Sequence, residues 1–288
     1  MRKYKSFPII INYNLHMQLR NNHKQNDFFS AGQRDEEKRL YISTTTTSDD
    51  TLENHMYRQE IDEYESIVFR CLEKIERNAV GRMALGLINK QTVVWIIPET
   101  DEMKRCSCAQ TNPLDYVIIP GSVARGAGFG DTVIQFAPDP DDDDTLFHEL
   151  VHAYRFSYKK FSPICIEVPP NPDPRVKQSS CGSSEEFFAH QMENIYMSQA
   201  NRPVTLDYYH DHTTARKKDE IYDFLRGHVD RLEALKYFLR HEYLAMLAAH
   251  SVNPDYNSFR DYPMLEARYL QDNHLSDLPE LPPLVLQN

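Results

Sequence analysis

The chain has 288 residues, 41% of them hydrophobic and 26% charged, with 43 acidic against 32 basic side chains and a formal net charge of -11. A chain of this size can bury roughly 75% of its unfolded surface, which excludes disorder throughout. The acidic balance argues against nonspecific binding to nucleic acid, which needs a face rich in Lys and Arg, and no run approaches the ~18 consecutive apolar residues of a membrane helix.

The first eleven residues join a basic start to about four apolar residues, short of the ~7–15 of a secretory h-region, so no Sec signal is expected. Residues 1–52 read as a polar N-terminal arm, mobile on the Asn, Gln, Arg and Asp content beyond residue 12 and the Thr- and Asp-rich run at 44–50. From Tyr57 the pattern changes. Ile61, Tyr64, Val68, Cys71, Leu72 and Ile75 recur at threes and fours and predict a helix over 57–78, followed by a short one over 82–88. Strands are expected over 92–97, 116–119 and 132–137, each stopped by a proline. The link 121–130 carries four of the nine glycines. It lacks G-x-G-x-x-G spacing and leads into a strand, so it reads as a hairpin loop. Helices follow over 145–158, 184–200, 217–226 and 230–250, broken by Pro203 and Gly227. A single domain over 53–276 then gives way to an extended tail over 277–288.

Five cysteines (Cys71, Cys106, Cys108, Cys165 and Cys181) are odd in number and sparse. They read as free thiols of a reducing compartment. The Asp-rich run at 139–144 lacks the ligand alternation and Gly of an EF-hand loop and reads as a solvated helix start.

The segment Thr145-Leu146-Phe147-His148-Glu149-Leu150-Val151-His152 holds H-E-x-x-H on a helical pattern. On a helix His148 and His152 lie one turn apart on one face, where both imidazoles reach one metal, and Glu149 stands beside them as a base for water. Asp144 or Thr145 is the expected helix cap. A catalytic zinc needs a third protein ligand. Glu186, in the helix that opens after Ser183, is chosen; Glu185 and His190 compete with it, and Ser183 with Glu186 also spells a capping box that would only close the helix end. Glu193 is a candidate for orienting a ligand histidine.

With Glu76-Arg77, Gly81-Arg82-Met83, Val117 to Pro120 and Ile134 to Pro138 standing in the same order before the zinc helix, the sequence resembles the gluzincin-type metalloproteases, the group that includes clostridial neurotoxin light chains and NleD-like type III effector proteases. The resemblance covers about residues 60 to 250. It implies that the third ligand is the second Glu of a Glu-Glu pair, here Glu186, and that Arg240 and Tyr243 on one helical face hold the oxyanion; Tyr208 or Tyr209 is the alternative hydroxyl. It further implies a protein released by a specialised bacterial system into the host cytoplasm, where it cuts a host protein.

The expectation is therefore an α+β, zincin-like fold, with a small mostly antiparallel sheet packed on the H-E-x-x-H helix and a helical C-terminal part. The expected function is zinc endopeptidase, with one Zn²⁺ on His148, His152 and Glu186, Glu149 as base, and Arg240 and Tyr243 at the oxyanion. Strand 132–137 is a candidate edge for adding a substrate strand. The rival readings are a non-cleaving module that binds a host protein with structural or absent zinc, and a metal-dependent hydrolase of a non-peptide bond.

Overall fold

The computed structural model describes residues 2–11, 52–98, 110–113, 132–136, 142–158, 160, 162, 164–168, 181–206, 214–252 and 254–278. The chain divides into two compact units, Met1–Lys74 with Ile88–Lys159, and Ile75–Leu87 with Lys160–Asn288.

In the first unit β1 (Arg2–Lys3), β2 (Ile9–Ile11), β3 (Val94–Ile97), β4 (Gln110–Pro113) and β5 (Thr132–Gln135) form a sheet in the order β1-β2-β3-β5-β4. The β1/β2 and β4/β5 pairs are antiparallel, β2/β3 and β3/β5 parallel. The sheet is therefore mixed rather than mostly antiparallel. Parallel neighbours need long crossovers, and the 82 residues from Asn12 to Val93 that contain helix α1 (Leu52–Arg77) supply one between β2 and β3. Ile9, Ile10 and Ile11, expected within the mobile arm, are β-branched and pair with Val94, Trp95 and Ile96. Strand β5 has a bonded neighbour on each side, which corrects its reading as an open edge. The expected strand 116–119, the glycine link 121–130 and the arm from 12 to 51 lie outside the described residues.

Helix α1 covers this sheet's unit with Val68, Cys71 and Leu72, all fully buried. The hydroxyl of Tyr64 donates to the Phe136 carbonyl at 3.3 Å, and Lys74 Nζ lies 3.2 Å from Asp143 Oδ1. Burial pushes the Cys71 thiol up to about 12, with the Asp143 carboxylate adding to the effect. Helix α3 (Asp143–Ser157) packs on β4 and β5.

The second unit holds α2 (Ala79–Leu87), α4 (Ser184–Gln199), α5 (Lys218–Arg226), α6 (Val229–His241), α7 (Tyr243–Ser251) and α8 (Ser258–Asp272), with a hairpin of β6 (Cys165–Glu167) and β7 (Cys181–Ser183). The whole is α+β. Its aromatic core joins Phe188 of α4 to Phe238 of α6 at 4.5 Å and to Phe259 of α8 at 5.8 Å between ring centroids. Buried Arg231 donates to Asp230 and to the Glu167 carbonyl, and Asp230 accepts the Glu167 N–H at 2.7 Å, which ties β6 to α6. Among the described residues no helix is long and apolar enough to cross a membrane.

Three expectations change here. The helix over 230–250 breaks at Glu242, whose backbone is extended (φ -112°, ψ 116°) and whose buried carboxylate lies 3.2 Å from Lys160 Nζ. Helix α8 is not among the expected elements; it carries Pro263 in its interior and opens behind an Asn257 cap that accepts the Arg260 N–H at 3.0 Å. Cys165 is disulfide-bonded and Cys71 a buried free thiol, so the reading of all five cysteines as thiols fails. An odd count leaves room for a pair, and a compartment argument says nothing about which cysteines the fold brings together.

Asn78 caps α2, its Oδ1 accepting from the N–H of Val80 (3.0 Å) and Gly81 (3.3 Å). A Cβ on Gly81 would lie 2.1 Å from the Ile75 carbonyl oxygen, a backbone atom with little freedom to retreat. Gly81→Ala is expected to destabilise the protein by about 1–3 kcal/mol in urea unfolding.

A second expectation concerns acid. Burial works against the Asp261 carboxylate, but the Arg260 and Tyr222 hydrogen bonds and the Arg260 and Lys218 charges hold it below the ordinary aspartate value. Because the folded value is the lower one, this stabilisation is present above the unfolded pKa of about 3.9 and is lost as pH falls through the folded value. Asp261→Asn is expected to cost roughly 1.5–3 kcal/mol near pH 7, and the gap to the parent protein to close below about pH 3.9 in pH-dependent unfolding.

Candidate metal centre

Helix α3 starts at Asp142 as N-cap, with Asp143 and Asp144 in its first turn, not at Asp144 or Thr145 as expected. Carboxylates there favour the helix dipole. The earlier part of the Asp-rich run, Asp139, Pro140 and Asp141, lies outside the described residues. From Leu146 to Tyr154 every residue of α3 is buried, so the helix is enclosed on all sides and carries its polar side chains inward with it.

His148 is 9% exposed, Glu149 7% and His152 5%. The two Nε2 atoms stand 3.1 Å apart, with ring centroids 4.9 Å apart and planes at 65°. His152 also stacks on Phe156 at 6.0 Å and 20°, one turn further on, which fixes its ring. Two nitrogens on one tetrahedral zinc at 2.0–2.1 Å would be separated by about 3.3 Å. The observed spacing fits that, and it equally fits one imidazole donating to the other. A third donor decides.

Ser183, at the end of β7, caps α4 by accepting the Glu185 N–H at 3.1 Å. Pairing of Cys165 with Ser183 in the β6–β7 hairpin sets where this helix begins. The two neighbouring glutamates then have different surroundings. Glu185 Oε1 accepts the Ser162 N–H at 2.6 Å, which engages it in its own unit. Glu186 joins His148 and His152 in a group whose ligand atoms all lie within 4.8 Å of one another.

A second such group is His148, His190 and Glu193. His190 is engaged on both ring nitrogens: Nδ1 lies 3.4 Å from Glu193 Oε2, and Nε2 lies 3.0 Å from Thr205 Oγ1 and close to the Leu206 carbonyl oxygen. As a ligand it would give up one of these contacts. Glu193, expected to orient a ligand histidine, is the partner of His190 Nδ1 and belongs to the same group as His148.

Arg240 and Tyr243 do not share a helix. Arg240 ends α6, where its charge acts on Glu233, Tyr262 and Asp277, and Tyr243 opens α7 at 51% exposure. Tyr208 and Tyr209 lie outside the described residues.

No protein-family model, curated protein or solved structure matches the chain. What stands is a candidate metal-binding group of two imidazoles and one carboxylate. Glu186→Gln is expected to weaken Zn²⁺ binding by more than the ~10–100-fold typical of supporting partners, while Glu185→Gln leaves it near the parent value, in competition with a chromogenic chelator. Equal losses would reassign the third ligand.

Proposed function

We propose that the chain is a zinc-dependent endopeptidase. The observation that carries the reading is the grouping of a ring nitrogen from each of His148 and His152 with a Glu186 carboxylate oxygen, all within 4.8 Å of one another, beside the buried Glu149. Two imidazole nitrogens and one carboxylate oxygen are a donor set that suits zinc and leaves a coordination position for solvent or substrate. When bound, zinc would supply a Lewis acid that polarises a carbonyl and acidifies water.

The chain's own residues do the rest. His148, His152 and Glu186 hold the cation. Glu149, adjacent to His148 on the same helix, accepts a proton from water and delivers it to the leaving amine. Burial of α3 keeps these groups in a region of low dielectric, where charge interactions are stronger than in water. The order of motifs shared with the gluzincin group supports a peptide bond as the target, and a host protein as substrate of an effector released into host cytoplasm. The cysteine argument for a reducing site of action no longer contributes, since Cys165 is bonded. Arg240 and Tyr243 enter as oxyanion partners on the resemblance.

Incubation with host-cell lysate and mapping of new peptide N-termini tests the reading. Glu149→Gln is expected to keep one Zn²⁺ per chain, measured by mass spectrometry of the metal, and to lose cleavage by about 10²–10⁴-fold. Chelation should abolish cleavage and Zn²⁺ restore it. Full biological activity in the Glu149 variant would support a non-cleaving binding module, and a metal-dependent activity without new N-termini would support a non-peptide bond. Arg240→Ala and Tyr243→Phe, assayed singly, should each lower kcat by about 10²–10³-fold if these side chains stabilise the oxyanion.

A further inference from the structure

A cavity of about 630 Å³ lies within the second unit, away from the metal ligands in sequence, between the end of α4 and the start of α5. Its walls include Arg202, Arg216, Lys217 and Lys218, with Asp219 and Asp255 as the only acidic side chains among the described residues that line it. In a chain of net charge -11 this is a local reversal of sign.

The backbone explains how the cations meet. After α4 the chain turns at Asn201 in the left-handed region (φ 56°), a conformation Asn tolerates better than most residues. The Arg202 N–H closes back onto the Met197 carbonyl at 2.8 Å, and the Arg202 guanidinium lies 5.3 Å over the Tyr196 ring. Val204 then bridges to Arg216, whose N–H donates to the Val204 carbonyl at 2.8 Å, and this one bridge brings Arg216, Lys217 and Lys218 beside Arg202. Lys218 is tied at the rim to Asp255 at 3.1 Å.

Helix α5 begins at this cavity. Lys217 is its N-cap and no side chain caps it. Lysines at a helix N-terminus sit against the dipole, whereas an anion there accepts the first-turn N–H groups and is favoured by the same dipole. The first turn also carries Asp219 and Glu220, which complement the dipole, so an anion here would be held chiefly by the basic side chains. Two guanidiniums add planar forks of donors suited to tetrahedral oxyanions. The volume falls within the range of small-molecule sites.

We infer that this cavity binds the phosphate group of a small phosphorylated molecule. The site goes beyond the metal reading and does not depend on it. Calorimetric titration of the full chain with inorganic phosphate at fixed ionic strength, followed by amide chemical shifts, tests it. Saturable binding is expected, with shifts confined to residues 198–204 and 214–219. Arg202→Gln and Arg216→Gln should each weaken it about tenfold or more. Lys217→Gln, at an exposed position where the fold is not at risk, should weaken it by a smaller but measurable factor, and Glu149→Gln should leave it unchanged. A response matched by chloride, no saturable response, or phosphate binding unaffected by all three basic substitutions would overturn the proposal. So would binding to vesicles bearing phosphorylated inositol lipids without any response to soluble phosphate.

Discussion

The site depends on one constraint: helix α3 is buried along its length while carrying two imidazoles and a carboxylate. Polar groups withdrawn from water must find partners or cost several kcal/mol. The helix solves part of this by itself. The i, i+4 spacing lays the two rings on one face and brings their nitrogens to 3.1 Å, so each imidazole is within reach of the other. The sheet matters because β4 and β5 are the surface on which α3 is held.

The parts of this arrangement that were legible in the sequence are local. Helical periodicity anticipates α1, α3, α4 and α5 to within a few residues, except that α1 begins five residues early, and the H-E-x-x-H spacing puts His148 and His152 side by side before any fold is known. The Glu-Glu pair was ambiguous on sequence alone, because both members open the same helix; what separates them is that Glu185 reaches the Ser162 N–H across 23 positions of chain. Nonlocal pairing explains most of what was hidden. Ile9 to Ile11 shows its strand character only when Val94 to Ile96 is beside it, and the break at Glu242 answers to Lys160, 82 positions away. The run Arg216-Lys217-Lys218 is visible in the letters, yet its meeting with Arg202 requires the Val204 bridge.

A shared fold carries many functions, and a site carries its chemistry wherever it is built. The functional reading here rests on donor atoms and their spacing. The mixed sheet bears on it only through the support it provides for α3, and the order of its strands adds no argument for or against a peptidase. The proposed cleavage and the proposed phosphate site likewise draw on different residues, so either can stand without the other.

The interruption at Glu242 has one more consequence. Because Arg240 lies in the last turn of one helix and Tyr243 opens the next, the two side chains are carried on different helices joined by the single extended residue Glu242. A change in the backbone of that one residue would therefore move one side chain relative to the other.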